Sequence, residues 1–482
     1  MKVSQNMVKK RKTSKINIIT LTLSIFASLI GVVLNLYLAR MLEAELFGKL
    51  QYLIALVNTC AQFMIFGINS FLIRELKNEN RSEGIMNKAF SLYFIVVIFM
   101  LPFMFLGLYY FSDLRNNNLT LTFIVIVSAI IMGINVLVSA YHQGHGKYYL
   151  SVIFESLIPR LILFICAIIF ITLNLYNGFE LKYMIVYLIV YALVAIPFTI
   201  KLFKKIDLKI QKGDFISILF LFGVTITYSL GNDLTKVLQG TLFKNNVAIG
   251  IISISISIVS LVRIFTAALN NIVKPIFAKL QREQNIKELI EVYRFDTRMN
   301  SYLVIPLYLF FIIHSSNFLQ IFGASYTAYP NILRIIALAH MVSEFFGPNG
   351  TLLVMSGNEK WELVNGFIYF AFYFLFIFVL SFDEIHGLCW ALFFAQIAVN
   401  IAKYIEVYLI FKITPLDLKT LITEALIILV NILIIFPLKF INILWVWFLI
   451  GIVVGVLLVL LNCFILSLYR KKDFKTFLEI RL

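Results

Sequence analysis

From Leu444 to Tyr469 the chain reads LWVWFLIGIVVGVLLVLLNCFILSLY, without one charged side chain. Runs of this kind recur along the sequence, and no other feature restricts the possible folds as strongly. A hydrocarbon core about 30 Å thick is crossed by about 20 apolar residues in a helix. About fourteen stretches are long enough: 16–40, 50–74, 88–111, 119–141, 151–174, 181–203, 215–241, 247–274, 298–322, 330–356, 361–381, 386–411, 417–438 and 443–469. They are continuously apolar rather than alternating, so they predict helices and not barrel strands. Hydrophobic residues make up 61% and charged residues 14% of the chain, with a mean hydropathy of +0.93. A soluble chain carries about 25% charged residues. The fold class is therefore an all-α integral membrane protein.

The basic start MVKKRKTSK leads into apolar sequence with no small-residue cleavage site, so the first run is expected to stay as a span. Positive charge gives the orientation. With a cytoplasmic N-terminus, 31 of the 41 Lys and Arg fall at inner ends and loops and 6 at outer ones. The remaining four, Arg160, Lys236, Arg263 and Arg334, lie within spans. That asymmetry is what the positive-inside rule requires, and it places both termini in the cytoplasm. Much of the net charge of +16 is thus a topology signal, and it calls for no nucleic acid.

The loops are short, no Gly-rich phosphate loop is present, and the five histidines are scattered over separate segments. These features argue for a transporter rather than an enzyme, and a glycan polymerase with a large catalytic outer loop is disfavoured. The four cysteines stand singly in apolar runs, without metal-ligand or disulfide spacing. No cofactor or metal is expected; coupling to protons or sodium is left open.

LARMLEAELFGKLQYLIALV follows the first span and LQGTLFKNNVAIGIISISISIV follows the seventh. Each holds a helix end, a polar turn, an apolar-Gly step (Phe47-Gly48, Ile249-Gly250) and another apolar run, which hints at two six-helix halves. The first stretch resembles the opening of bacterial polysaccharide flippases, the Wzx-type exporters of lipid-linked oligosaccharides in the multidrug/oligosaccharidyl-lipid/polysaccharide exporter superfamily. NDLTKVLQGTLFKNNVAIGIIS is similar to their seventh-span pattern, and KPIFAKL and LQIFGASYTAYPNILRIIAL to two later steps. Ile251-Ile252-Ser253 and Glu43-Ala44 depart from the pattern.

The resemblance implies two six-helix bundles facing each other in a V, with two additional C-terminal helices, working by alternating access. The corresponding division is a basic N-terminus 1–15, bundles 16–205 and 206–412, two further spans 413–469 and a basic tail 470–482. It implies a flippase in the bacterial cytoplasmic (inner) membrane, carrying undecaprenyl-pyrophosphate-linked repeat units to the outer leaflet for O-antigen or capsule-type polysaccharide. Membrane lipids and a complex with a polysaccharide polymerase and chain-length regulator are the partners implied. The alternatives within the superfamily are a peptidoglycan-precursor flippase and a cation-coupled drug exporter.

Such a substrate needs positive charge for its diphosphate and hydrogen-bonding groups for its sugars. Ionisable residues inside spans cost at least about 2.5 kcal/mol to insert and default to functional candidates. Arg160, near the middle of span five beside Pro159 and Glu155, and Arg263 in span eight are the cationic candidates for the cavity. His340 and Glu344, one turn apart in span ten, join them as cavity residues and as a titratable pair. For each, a purely structural hydrogen bond between helices is the competing reading. Asp233 and Lys236 lie eighteen or more residues beyond Phe215, which puts them near the outer mouth as either a structural ion pair or an outer gate.

Asn35, Asn58, Asn69, Asn135, Asn270 and Asn271 are amides that fit either sugar contact or helix packing. Arg334 is expected to snorkel, and Arg40 and Arg74 to anchor span ends. Glu406 and Glu424 are expected to pair with Lys403 and Lys419. Residues 279–298 read as an amphipathic surface helix, with partner docking as the sharper alternative.

Overall fold

The computed structural model describes residues 2–76, 84–111, 119–207, 212–358, 360–380, 382–413 and 418–469. The basic tail 470–482 lies outside them. The described residues form helices and connecting turns, with no strand. In a bilayer this is the expected outcome, because a helix satisfies every backbone N–H and C=O within its own segment.

Two compact units divide the chain, Met1–Ser253 and Ile254–Leu482. The first holds α1 (Lys2–Met41), α2 (Ala44–Ile65), α3 (Ile68–Leu76), α4 (Ile85–Phe111), α5 (Leu119–Gly144), α6 (Tyr148–Val152), α7 (Ile158–Thr172), α8 (Phe179–Leu202) and α9 (Lys212–Leu238). Helix α10 (Asn246–Arg282) begins in the first unit and continues into the second. There it is followed by α11 (Ile286–Ile313), α12 (Ser315–Phe322), α13 (Pro330–Phe345), α14 (Asn349–Met355), α15 (Lys360–Leu380), α16 (Gly387–Phe411), α17 (Leu418–Ile435) and α18 (Leu444–Tyr469).

Among the described residues, ten helices are long and apolar enough to cross a membrane, and twelve spans result when two bent pairs each count as one. The fourteen expected from sequence include two runs that are not in this set. Run 330–356 is divided between α13, of 16 residues, and α14, by Gly347 (φ 76°) and Pro348. Run 215–241 falls on α9, of which 213–223 qualifies only as a shorter apolar stretch.

The bent pairs have local causes. Helix α2 stops at Phe66 (φ 49°) and Gly67 (φ 78°), and α3 leaves at 53°. A β-carbon at Gly67 would stand 2.5 Å from the Phe222 nitrogen, so glycine is required there by both conformation and space. Helices α11 and α12 meet at 77° around His314. Its Nε2 lies 3.0 Å from the Ile435 carbonyl, and Nδ1 accepts from Trp447 Nε1 at 3.2 Å. Trp447, Phe310 and Phe318 pack around this imidazole. In the same unit Asn462 donates to the Tyr302 carbonyl (3.2 Å) and accepts from Asn431 (3.4 Å). These bonds tie α17 and α18 to α11; such interhelical bonds contribute on average about 0.6 kcal/mol each in a membrane.

Helix α9, assigned to the second half from sequence, packs along α2 and is grouped with the first unit. Two sequence expectations change. Residues 279–298 do not form a separate surface helix: α11 runs unbroken from Ile286, and Phe295 to Ser301 are buried. The hydrophobic stripe of this segment faces protein rather than a lipid surface. Lys403 bonds Glu362 at 3.0 Å, while Glu406 accepts from the Asn365 amide at 2.8 Å. The Lys419 side chain, expected to pair with Glu424, lies outside the described residues.

Candidate functional site

In the first unit the site grows from an irregularity. Between α6 and α7, residues Ile153–Leu157 widen into one π-helical turn, immediately before Pro159. Proline contributes no N–H and clashes with the preceding turn, and a π-bulge relieves both problems. The wide turn turns Glu155 toward α5. Its carboxylate accepts from the Ser139 hydroxyl. Ser139 and Ser151 share a 2.6 Å hydrogen bond, and the Gln143 amide donates to Ser151 (2.9 Å) and Ser139 (3.3 Å). Ser139 and Ser151 are buried, whereas Glu155 and Gln143 keep part of their surface open. Ser139, Ser151 and Gln143 do not stand out in the sequence, because serine and glutamine inside an apolar span are ordinarily packing residues.

Arg160 follows on α7 and reaches α1, donating from Nη1 to the Ala27 carbonyl at 2.8 Å. Gly31 makes room for it: a β-carbon there would stand 3.2 Å from Nη1. Glu155 lies within the field of Arg160 without forming an ion pair to it, and both act on Tyr191. A guanidinium offers five N–H donors, and one is engaged by Ala27. The half-buried remainder is a cationic surface held in place by backbone.

Asp233 and Lys236 form an ion pair of 2.5 Å, and Asn58 donates to Asp233 at 3.2 Å. Residue counting puts this pair at a span mouth, and its contacts locate it along α2. Helix α2 meets α9 and the start of α10 along its length. Gly48 abuts the Asn246 backbone with no room for a β-carbon, Tyr52 pairs with Thr241 at 3.3 Å, and Phe66 stacks on Phe222 at 4.1 Å. Asn58 is ten residues from Gly48, about 15 Å of helix. The pair therefore sits midway along this seam. The two apolar-Gly segments noticed in the sequence meet at one end of it, which explains the glycine at position 48.

In the second unit three expected residues come together. Arg263 is exposed on α10, beside buried Val262 and Thr266. Glu344 on α13 lies near Thr266, whose hydroxyl donates to the Arg263 carbonyl at 3.1 Å, and in the field of Arg263. His340, buried one turn before, also faces that charge. His340 and Glu344 make no hydrogen bond to each other. Two groups on α11 belong to the same electrostatic neighbourhood: Tyr308 in the field of Arg263 and Glu344, and Asp296 in that of Glu344. Asn300 donates to Asp296 Oδ2 at 3.1 Å, while Asp296 Oδ1 and the Tyr308 hydroxyl have no hydrogen-bond partner. Sequence analysis missed Asp296 because it lay in the stretch taken for a surface helix.

The remaining candidates are structural or peripheral. Asn35 accepts from Gln51 (3.1 Å) and Asn270 from Thr351 (3.4 Å). The Asn271 side chain lies outside the described residues. Arg334 donates to Asn331 at 2.7 Å on an exposed face. Among the described residues no group of three or more His, Cys, Asp or Glu is arranged to hold a metal ion.

Comparison with known proteins adds the following. Residues 37–330 match the family described as polysaccharide biosynthesis protein. No curated protein matches the chain. Among solved structures it is similar to an inward-facing multidrug resistance MATE family transporter of the MOP superfamily, with 12% identity, TM-score 0.59, and 82% of this chain and 98% of that one covered. An outward-facing form of such a transporter matches with 12% identity, TM-score 0.57 and coverages of 83% and 96%. A MOP superfamily transporter from Pyrococcus furiosus, described as having a binding pocket of reversed polarity that suggests a different function, matches with 11% identity, TM-score 0.59 and coverages of 83% and 96%. At these identities the likeness establishes a shared fold.

Proposed function

Since the chain belongs to the polysaccharide biosynthesis protein family, we propose that it is a flippase for oligosaccharide repeat units linked to undecaprenyl pyrophosphate. The observation that carries this reading is Arg263, an exposed guanidinium in the last part of the apolar span Asn246–Ala267, in the same unit as Tyr308, whose hydroxyl has no hydrogen-bond partner. A lipid-facing arginine is costly, so an exposed one in a span is best accommodated facing a hydrated cavity. A guanidinium there offers two parallel N–H groups to a phosphate. Arg160 offers the same chemistry in the first unit.

Binding replaces the water around the diphosphate by charge-assisted hydrogen bonds, and the sugars find hydroxyl, amide and carboxylate partners of the kind gathered around Ser139, Gln143 and Glu155. The polyprenyl tail stays in the bilayer. The protein alternates access between the two leaflets of the bacterial cytoplasmic membrane, with both termini cytoplasmic as the 31-to-6 charge asymmetry supports. It supplies a polymerase and chain-length regulator on the outer side.

A peptidoglycan-precursor flippase uses the same headgroup chemistry. The MATE-like fold favours a second reading, a cation-coupled drug exporter. That activity calls for accessible carboxylates; here Asp233 is paired with Lys236, Asp296 is buried, and the partly open Glu155 and Glu344 each lie in the field of an arginine. Proteoliposomes containing a fluorescent undecaprenyl-pyrophosphate-linked oligosaccharide separate the readings. The expected result is protein-dependent movement of the label between leaflets, lost on Arg263→Ala. Movement of an organic cation with no effect on the glycolipid would establish the exporter instead.

A further inference from the structure

The segment that follows α8 is held more firmly than a connecting loop needs to be. Asn87 Oδ1 on α4 accepts the backbone N–H of Lys204 at 2.8 Å and of Lys205 at 3.3 Å. Ser91 Oγ accepts the N–H of Asp207 at 2.9 Å. Phe203 packs its ring 5.7 Å from Phe90 and 5.9 Å from Phe94. The Lys88–Asp214 ion pair, 2.5 Å, fastens the start of α9 to the same helix.

What this anchored segment displays is unusual. Lys201, Lys204 and Lys205 are exposed, and among the described residues none of them has an ion-pair or side-chain hydrogen-bond partner. Between and beside them stand Ile200, 76% exposed, and Ile206, 74% exposed. Asp207 is the one acid in the stretch. Water gains nothing from two isoleucines held out in this way; burying such a side chain contributes about 1.5–3 kcal/mol. The alternation lies at the end of a membrane span, where an apolar tip can enter acyl chains while an ammonium meets the headgroup phosphate.

We infer that residues 200–206 form a docking site for anionic phospholipid headgroups. A soluble phosphate is the poorer fit. Phosphate cradles in loops are built from converging backbone N–H groups, and here the N–H groups of Lys204, Lys205 and Asp207 are turned inward to Asn87 and Ser91. Only side-chain ammonium groups, spaced by exposed isoleucines, remain outward. That arrangement suits a surface of phosphodiesters above an apolar layer. The site stands apart from Arg160 and Arg263, and it holds whichever substrate the protein moves.

Thermal unfolding of the purified protein in detergent, titrated with phosphatidylglycerol or phosphatidylcholine, tests the inference. Each lysine near an anionic surface contributes about fivefold in binding. The expected result is a midpoint raised by phosphatidylglycerol beyond phosphatidylcholine, with apparent affinity at least tenfold weaker in Lys201→Gln/Lys204→Gln/Lys205→Gln. Asn87→Ala keeps all three charges but frees the segment, and is expected to lose two- to threefold. Lys279→Gln/Arg282→Gln, changed on another exposed surface, is expected to behave as wild type. An unaltered phosphatidylglycerol response in the triple variant, or an equal response of the wild type to inorganic phosphate, would overturn the inference.

Discussion

The charged clusters around Glu155 and Asp233 in the first unit and around Arg263 in the second are handled differently. In the first unit each intramembrane carboxylate has been given its donors: Glu155 the Ser139 hydroxyl, Asp233 the Lys236 ammonium and the Asn58 amide. In the second, Asp296 keeps one oxygen without a partner, Tyr308 keeps its hydroxyl unbonded, and Arg263 is exposed. Internally satisfied networks make rigid, well-specified structure, whereas partly satisfied ones are costly unless something else completes them. On the proposed function, this comparison makes the Glu155 and Asp233 clusters of the first unit scaffold beside Arg160, and the Arg263 cluster of the second the one left open to a ligand.

The arginines put the contrast to its hardest test. Arg263→Ala removes an exposed charge with few internal obligations, so glycolipid export is expected to fall about 10- to 100-fold, the worth of a charged hydrogen bond of about 1.5–3 kcal/mol. Insertion and thermal midpoint should stay near wild type. Arg160→Ala should impair export less while also lowering the midpoint, because it deletes the Ala27 bond and strips Glu155 of its neighbouring cation. Surface glycan on gels reads the first quantity and unfolding in detergent the second. If Arg160→Ala leaves stability intact and costs more export than Arg263→Ala, the roles of the two units are reversed.

A step smaller is the Asp233–Lys236 pair, where the question is scaffold or gate. Lys236→Met leaves a largely buried carboxylate without its cation and is expected to cost about 2 kcal/mol, below the range for fully buried pairs because Asp233 keeps 21% of its side chain exposed. Asp233→Asn/Lys236→Met removes both charges and should recover most of that stability and most of the export. A double variant that is stable yet inactive would make the pair part of the transport machinery and break the assignment of the first unit as scaffold.

How much of this was legible in the sequence follows from what each residue owes to local and to distant chain. The spans were legible because hydropathy is a sum over neighbours. Arg263, His340 and Glu344 could be singled out because charge in an apolar run is conspicuous, and a one-turn spacing fixes the face shared by the last two. The setting of Glu155 was not legible: its donor Ser139 comes from α5, and the π-turn that aims the carboxylate at it depends on how α6 meets Pro159. The neighbour of Asp233 was not legible, because counting from Phe215 gives a position along one helix, whereas the contact with Asn58 comes from a second. Asp296 was hidden because an amphipathic period looks alike whether its apolar face meets lipid or protein.

The finest test of the comparison uses two hydroxyls. Ser139→Ala takes a donor from a carboxylate that depends on it, and should lower stability by about 1 kcal/mol with a modest effect on export. Tyr308→Phe takes away a hydroxyl that has no partner in the protein, so the midpoint should hold or rise slightly. Its effect should instead fall on glycolipid affinity, by about threefold to tenfold if the hydroxyl meets the substrate. Binding of the fluorescent glycolipid and thermal unfolding, measured on both variants, give two numbers for each. The contrast predicts that the numbers cross: stability lost in one variant, affinity in the other. Parallel losses would mean that Tyr308 is bonded in the working protein as firmly as Ser139, and that the second unit is no more open than the first.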